Sequence, residues 1–313
     1  MRQLCNCCAR EEGMVDRPIH IAYSDESYST ASRYRSIAVV TMEVRRGETV
    51  SQSIRELLEE SGIKEFKWEK LHQARERFAA LQMIDKTVEL SAQNWLRGDV
   101  LIWDTYDSRH CIQRRDDIAN LQRMYYHLFK NVLQRRWPAG STWQLYPDEN
   151  SALNWMNVRD CLDAAGLNIR RLEGDLFDGE FRLRLERDFG ILQIQEVSSS
   201  DTPICQLADL FAGLGAYSHS AYEKYESWLR TQSGQLTLDL GLGDAEVKLS
   251  NRDRERCEVM KCLDDQCKKH KLGVGLKSSR GFRTYNPDRS PINFWLYEPQ
   301  HPDDKAPVRE HEL

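Results

Sequence analysis

Residues 202–218 read TPICQLADLFAGLGAYS, an apolar run with one charged residue, Asp209. Pro203 suits the first turn of a helix, and helical spacing puts Ile204, Leu207 and Phe211 on one stripe. Asp209 points off that stripe, to a side lined by the small residues Cys205, Ala212, Gly213 and Ala216. The pattern favours a helix that lies close to a strand or a metal site. The alternative is a solvated aspartate on the helix flank.

Upstream of this helix, β-prone runs alternate with runs of helical periodicity. Strands are predicted at 19–27, 36–44, 100–106, 141–151 and 190–197. Helices are predicted at 49–61, 69–94, 116–137 and about 151–165. This order predicts an α/β fold, a mixed sheet flanked by helices with a helical insertion at about 49–94, and active groups at strand ends.

Composition narrows the class of protein. The 313 residues have an ordinary globular balance with a net charge of −5, which excludes a uniformly basic nucleic-acid coat. No Walker A loop or G-x-S-x-G elbow is present, which disfavours an NTPase and an α/β-hydrolase. No apolar run is long enough to span a membrane, and the nine cysteines are an odd number that suits reduced thiols. We therefore expect a cytoplasmic protein with no membrane partner.

Carboxylates at the predicted strand ends are the candidate reactive groups. Asp25 ends the first strand, with Glu26 beside it, and Asp148 ends the fourth. If these ends converge with Asp209, a divalent cation must neutralise the cluster, and Mg²⁺ or Mn²⁺ prefers such oxygen ligands. The alternatives are a turn or cap role for Asp25 and a helix-capping role for Asp148.

Two further segments carry charges suited to a phosphodiester substrate. In EFKWEKL (65–71), Lys67 could hold a phosphate and Glu65 could add a metal ligand, although a solvated charge run is the commoner explanation. In GLKSSRGFRTYNPDR (275–289), three cations are expected to bind nucleic acid, with aromatic neighbours for stacking, unless this basic loop only covers the core. Those cations are Lys277, Arg280 and Arg283, and the aromatic neighbours are Phe282, Tyr285 and Trp295.

The cysteine groups CNCC (5–8) and Cys257, Cys262, Cys267 have spacings that do not match zinc knuckles. Thiols on the face of a helix explain the second group better. The spacings therefore disfavour a zinc site, and zinc binding stays the alternative.

Three motifs together carry a family resemblance: YSDES (23–27), EFKW (65–68) and ICQLADLFAGLGAY (204–217). They resemble the bacterial domain of unknown function 3800 family, which looks like a branch of the RNase H-like superfamily. The resemblance covers about 18–220, and GFRTYNPDRSPINFWLYEPQ (281–300) is similar to the C-terminal part of some members. Where that family often has DESG, this chain has Tyr28 in place of the glycine.

The resemblance implies an RNase H-like catalytic domain at 18–220, after an N-terminal cysteine-containing segment (1–17) and before a C-terminal helical and loop extension (221–313). It implies metal ligands at Asp25, Asp148 and Asp209, with Glu26, Glu65 and Lys67 as accessory catalytic residues. The implied activity is metal-dependent hydrolysis of phosphodiester bonds in RNA or DNA.

The resemblance also sets expectations for biological role and partners. A phage-defence or toxin-like role is expected, with a nucleic-acid substrate and a protein partner or homo-oligomer. The alternatives are a catalytically weak nucleic-acid- or partner-binding module of the same fold, and a nucleotide phosphohydrolase.

Overall fold

The computed structural model describes residues 17–27, 32–107, 116–165, 167–171, 183–187, 189–232 and 249–298. Tyr28 and Cys5, Cys7 and Cys8 lie outside the described residues, as does nearly all of the expected segment 1–17.

The elements follow the alternation expected from the sequence. The strands are β1 (His20–Ser27), β2 (Tyr34–Glu43), β3 (Leu96–Asp104), β4 (Trp143–Pro147), β5 (Leu167–Arg171), β6 (Leu183–Arg187), β7 (Ile191–Ile194), β8 (Val274–Gly275), β9 (Arg283–Thr284) and β10 (Ile292–Leu296). The helices are α1 (Val44–Glu60), α2 (Ala74–Ala92), α3 (Asp117–Arg135), α4 (Trp155–Ala165), α5 (Pro203–Ser220), α6 (Tyr222–Gln232) and α7 (Asn251–Lys269), with a 3-10 turn at Trp68–Lys70.

Six strands form the main sheet in the order β10-β3-β2-β1-β4-β7. Strand β2 pairs antiparallel with both β1 and β3, whereas β4 runs parallel to β1 and β7 runs parallel to β4. The carboxyl ends of β1, β4 and β7 therefore lie at the same edge of the sheet. The mixed sheet flanked by helices confirms the expected fold class, an α/β fold of RNase H-like type.

Helices cover both faces of the sheet, so alternate strand residues belong to separate cores. On one face Ile21 and Val100 pack with α1, α2, α5 and α7. On the other face Ala22 and Leu101 pack with α3 and α4. Because both faces are buried, a one-residue slip of a strand would exchange the two cores, and the hydrophobic pattern fixes the register.

The segment expected to be a helical and loop extension is integrated into the main core. Its strand β10 pairs parallel with β3 at the edge of the main sheet. Phe294 of β10 and Phe282 are fully buried beside α5. The last part of the described chain therefore completes the sheet.

Helix α5 is buried along most of its length, as its apolar sequence predicts. It packs against β1, β2 and β3, and a close approach is made possible by its small residues. The hydroxyl of Ser36 on β2 donates a hydrogen bond of 2.5 Å to the carbonyl of Ala212. Even so, no helix in the described part of the chain is long and apolar enough to cross a membrane.

Gly213 is the point where the Trp68 turn rests on α5, and Gly213→Ala tests this contact. A Cβ at Gly213 would lie 2.1 Å from Cγ of the Trp68 indole, so the turn must move. We expect the free energy of unfolding to fall by about 1–2 kcal/mol, since overpacking outweighs the better helix propensity of alanine. Denaturant unfolding measures this. Gly98→Ala is the matched control, because its Cβ would meet no atom within 4 Å. Equal stability of the two variants would contradict the packing argument.

Candidate active site

The end of β1 carries two carboxylates that face different layers of the fold. Along the strand, Ile21 and Tyr23 face α5, whereas Ala22 faces α3. The same alternation turns Asp25 towards α5 and Glu26 towards α3. Asp25 is 7% exposed, and its Oδ1 accepts a hydrogen bond of 2.7 Å from the Glu26 N–H. Asp25 lies within β1 and not in a turn, and it faces the helix that carries the expected carboxylate partner.

Both oxygens of Glu26 are held by neighbouring side chains. Its Oε2 accepts a hydrogen bond from the Tyr125 hydroxyl on α3, and its Oε1 accepts one of 2.5 Å from Asn150 Nδ2. Burial raises the pKa of Glu26, although these two hydrogen bonds act in the opposite direction. Glu26 is thus fixed in orientation at the edge of the site.

Asp148 follows β4 directly and lies next to the end of β1. Its N–H donates to the carbonyl of Ser24 at 2.8 Å. Its Oδ1 accepts from the Ser199 N–H at 2.9 Å, and its Oδ2 lies 3.4 Å from Lys67 Nζ. Helix α4 begins only at Trp155, so Asp148 does not cap it. The parallel pairing of β1 and β4 brings this carboxylate to the site.

Asp209 and Gln206, one turn apart on α5, both bind the backbone of the EFKW segment. Asp209 Oδ2 accepts from the Trp68 N–H at 2.7 Å, and Gln206 Oε1 accepts from the Phe66 N–H at 2.7 Å. Gln206 Nε2 also donates to the carbonyl of Ser199 at 2.7 Å. Asp209 is 9% exposed, so it is not a solvated residue on the helix flank.

Lys67 extends its ammonium group into the acidic cluster. Its Nζ lies 2.7 Å from Ser199 Oγ and 3.7 Å from Glu65 Oε1, in addition to Asp148. Ser199 Oγ in turn donates to Glu65 Oε1 at 3.0 Å. Burial alone would lower the pKa of Lys67, but Asp148, Asp25, Asp209 and Glu65 raise it overall. The segment is thus part of the site and not a solvated run of charges.

Asp25 and Asp209 carry unfavourable charge. Burial raises the pKa of Asp25 well above its usual range, and the charge of Asp209 raises it further. Burial raises the pKa of Asp209 to about 7, against the opposing effects of the Trp68 N–H and Lys67. The arrangement disfavours two ionised carboxylates unless a cation joins them.

Four of the side chains described above line a cavity of about 570 Å³, which we call the carboxylate pocket. Asp25, Glu26, Lys67 and Asp209 lie on its walls together with two cations from α7, Arg252 and Arg256. The guanidinium of Arg256 lies 4.7 Å from the centre of the Trp68 ring. Its Nη2 donates to the carbonyl of Trp68 at 2.9 Å. Carboxylates and guanidinium groups thus line the same pocket.

The donor set fits a divalent cation held by two aspartates. Asp25 Oδ2 and Asp209 Oδ1 have no hydrogen-bond partner among the described residues. Mg²⁺ commonly uses one or two carboxylates and completes its shell with water and phosphate. Within the described ranges, no three acidic, His or Cys side chains form a ready metal-binding group. Because Asp148 is engaged by Ser199 and Lys67, its role as a third ligand stays a prediction.

The basic loop of the C-terminal segment lies away from the carboxylates, at the far end of α5. Of its three candidate cations, Arg280 faces a second cavity, whereas Lys277 and Arg283 are exposed elsewhere. Phe282 is fully buried, so the expectation that it stacks on a base is wrong. Tyr285 is 65% exposed. The structure therefore does not join these three cations to the carboxylate site.

The described cysteines are free thiols, and the C-terminal group lies on α7. Cys257 and Cys267 are buried in the core, whereas Cys262 is partly exposed. Helix packing therefore accounts for this group.

Sequence analysis missed several residues that hold the site together. They are Gln206, Ser199, Tyr125, Asn150, Arg252 and Arg256. Gln206 had a detectable signal, because it lies three residues before Asp209 in an otherwise apolar helix and so on the same side. The others come from distant segments and show no spacing that marks them.

Two proteins of Methanothermobacter thermautotrophicus are similar to this chain over nearly their whole length. Uncharacterized protein ORF2′ is 39% identical over 304 residues, which cover 95% of this chain and 100% of the relative. Uncharacterized protein ORF2 is 37% identical over 299 residues, which cover 93% of this chain and 98% of the relative. The chain belongs to the family of these ORF2 proteins. No model of a known protein family matches it.

Membership of the ORF2 family concerns the whole chain. The aligned share is too large to be confined to the RNase H-like region at 18–220, so the relatives also match the C-terminal segment that supplies β10. The names of the ORF2 proteins state no activity.

Removing the charge of Asp209 should stabilise the metal-free protein at neutral pH. The unfolded chain loses this proton near 3.8 and the folded protein near 7, so the free energy of unfolding falls as pH rises between those values. The slope is at most about 1.4 kcal/mol per pH unit. Asp209→Asn keeps an acceptor for the Trp68 N–H and removes this decrease in the free energy of unfolding with rising pH.

Denaturant unfolding in EDTA at pH 4 to 8 measures this difference. The parent and Asp209→Asn should converge at pH 4, and the variant should be the more stable at pH 8. Asp265→Asn, at an exposed position on α7, is the control and should show no comparable gain. Parallel curves for parent and Asp209→Asn would contradict the electrostatic account.

Proposed function

We propose that this protein is a metal-dependent nuclease that hydrolyses phosphodiester bonds of RNA or DNA in the cytoplasm. The observation that carries the proposal is the pair of buried carboxylates, Asp25 and Asp209, in a pocket that also contains cations. Each has one oxygen that no described residue binds. The motifs that resemble the domain of unknown function 3800 family contain both residues. A phage-defence or toxin-like role remains an expectation from that resemblance.

Asp25 and Asp209 would hold Mg²⁺ or Mn²⁺ through their unpartnered oxygens. When bound, the ion supplies activation of an attacking water and stabilises charge on the leaving oxygen. Asp209 is positioned for this by the Trp68 N–H, and Asp25 by the Glu26 N–H. Such fixed carboxylates need little reorganisation when the ion and substrate arrive.

The cations of the pocket would bind the phosphate. Lys67 has three N–H donors, and its neighbours Ser199 and Asp148 engage two of them. The third remains for a phosphate oxygen. Arg252 and Arg256 provide guanidinium groups suited to the phosphate oxygens, and the contact of Arg256 with Trp68 limits its motion.

Nucleotide phosphohydrolysis is a second candidate. The carboxylate pocket, at about 570 Å³, lies within the size range of small-molecule sites. A free nucleotide would use the same carboxylates and cations. A catalytically weak binding module is less favoured, because Asp25 and Asp209 line the same pocket and the charge of Asp209 raises the pKa of Asp25. Turnover of polynucleotide, of free nucleotide or of neither distinguishes the nuclease, the nucleotide phosphohydrolase and the binding module.

Asp25→Asn and Asp209→Asn should each remove nearly all cleavage, and the double variant should lose little more. Groups that serve one step are strongly non-additive, and an amide supplies no charge to hold the ion. The assay compares RNA, single-stranded DNA, duplex DNA and free nucleotides with Mg²⁺ or Mn²⁺, and EDTA should abolish all turnover.

Glu149→Gln is the matched control, since Glu149 is an exposed carboxylate beside Asp148 and outside the pocket. It should retain parental activity. Calorimetric titration should show weaker Mn²⁺ binding for each Asn variant. Full activity in either variant, or a double defect equal to the sum of the two in free energy, would refute a shared ion.

Lys67→Met should separate metal binding from turnover. The ammonium group repels a second cation, so its removal should tighten Mn²⁺ binding. It also removes a phosphate contact, so kcat/KM should fall by roughly 10- to 100-fold, as expected for one or two charge-assisted hydrogen bonds. Calorimetry and steady-state kinetics measure the two effects. Weaker Mn²⁺ binding together with unchanged turnover would show that Lys67 only positions the neighbouring side chains and does not contact the phosphate.

A further inference from the structure

A second cavity, of about 800 Å³, adjoins the carboxylate pocket. Both cavities are lined by Ser32, Tyr34 and Ser220, so they share a wall. We call the second cavity the tyrosine groove. The residues that matter for its chemistry are Arg33, Tyr34, Tyr106, Tyr222, Lys224 and Arg280.

Two guanidinium groups of this groove lie over tyrosine rings. The guanidinium carbon of Arg33 lies 5.0 Å from the ring centre of Tyr34 and 5.1 Å from that of Tyr106. The guanidinium carbon of Arg280 lies 5.9 Å from the ring centre of Tyr222. Unpaired bases stack on aromatic rings and on guanidinium planes, and phosphates pair with the cations. The groove combines both kinds of surface.

Each cation of the groove is paired with a carboxylate, and the pair of Arg280 with Glu223 is the one in which a phosphate could replace the carboxylate. Arg280 Nη2 lies 2.7 Å from Glu223 Oε1, and the two side chains are 66% and 82% exposed. Exposed ion pairs of this kind contribute little. Lys224 is paired with Asp253 and Arg33 with Asp104. Glu223 is therefore a weak competitor for the site that a phosphate would occupy.

The length of α5 relates the two cavities to each other. Asp209 lines the carboxylate pocket, and His219 lines the tyrosine groove ten residues further on. At about 1.5 Å per residue this is a separation of roughly 15 Å. A nucleic-acid strand with a rise of about 3.4 Å per nucleotide would cover it with roughly four nucleotides.

We propose that the tyrosine groove binds unpaired nucleotides that flank the phosphodiester in the carboxylate pocket, so that the substrate is single-stranded nucleic acid. The substrate assignment rests on the proposed function of that pocket. Tyr34 and Tyr106 are partly exposed, whereas Tyr222 is buried and supports Arg280. A duplex keeps its base faces stacked inside and offers none to Tyr34 or Tyr106. The tyrosines are therefore the basis for selecting single strands.

Binding of a labelled octanucleotide to the full chain in EDTA tests the groove without cleavage. Arg280→Gln should weaken binding severalfold and reduce the salt slope by about 0.7, as one lost phosphate contact on a single strand requires. Glu223→Gln should strengthen binding, because it removes the competing carboxylate. The matched control is the exposed pair Lys261 and Asp265 on α7, whose variants Lys261→Gln and Asp265→Asn should bind as the parent does.

Tyr106→Leu tests stacking, with the exposed Tyr285→Leu as its control. Loss of one stacked base should weaken octanucleotide binding by roughly 5- to 100-fold. A dinucleotide, which is too short to extend from the carboxylate pocket along the groove, should bind the parent and variant equally. Thermal unfolding establishes whether Tyr106→Leu is folded. If this variant is unfolded, octanucleotide binding by Arg280→Gln and Glu223→Gln decides whether the groove binds nucleotides.

The groove proposal is overturned if Arg280→Gln and Glu223→Gln leave octanucleotide binding within twofold of the parent. Duplex binding as tight as single-strand binding would also overturn it.

Failure of the nuclease proposal gives a different set of results. If no nucleic acid is cleaved with Mn²⁺ but the two variants shift single-strand affinity in opposite directions, the groove is a binding site and the nuclease assignment fails. Cleavage with a KM that is insensitive to both variants retains the nuclease and rejects the groove.

Discussion

Two carboxylates that repel each other inside the protein, Asp25 and Asp209, are the constraint to which the surrounding structure responds. Burial makes their charges costly, and the neighbouring groups reduce that cost only in part. The Trp68 N–H binds one oxygen of Asp209, and Lys67 places an ammonium group in the cluster. One oxygen on each aspartate has no hydrogen-bond partner within the described part of the protein. An acidic pair kept in this state is stabilised most directly by a divalent cation.

The fold supplies this arrangement by combining local and distant contacts. Parallel pairing of β1 and β4 puts Asp25 and Asp148 at one edge of the sheet. Helix α5 crosses the same sheet and presents Asp209 to it. The segment around Lys67 is a loop between two helices, so it needs separate anchoring, and Gln206 and Asp209 supply this through the Phe66 and Trp68 N–H groups. The residues that contact the cation site and those that position the loop therefore overlap.

Local sequence patterns were sufficient to predict much of this architecture. The alternation of strand and helix signals predicted α5 and the strand ends that carry Asp25 and Asp148, because each depends on periodicity. The residues alone made the convergence of these carboxylates with Asp209 only conditional, and the grouping with Lys67 rested on the family resemblance. The pairing of β10 with β3 was not predicted, since it joins residues about 190 positions apart. The burial of Phe282 and the contact of Tyr125 with Glu26 were missed for the same reason. Neither the burial of Phe282 nor the contact of Tyr125 with Glu26 produces a recognisable pattern in the nearby sequence.

Anomalous diffraction from crystals grown with saturating Mn²⁺ tests the central claim most directly, because it locates the ion independently of any substrate. The account predicts one strong peak in the carboxylate pocket, at about 2.1 Å from an oxygen of Asp25 and from an oxygen of Asp209, as for other small hard cations. The peak should be absent from crystals of Asp25→Asn under the same conditions. A parent structure whose pocket contains no Mn²⁺, or whose ion contacts neither aspartate, would contradict the account.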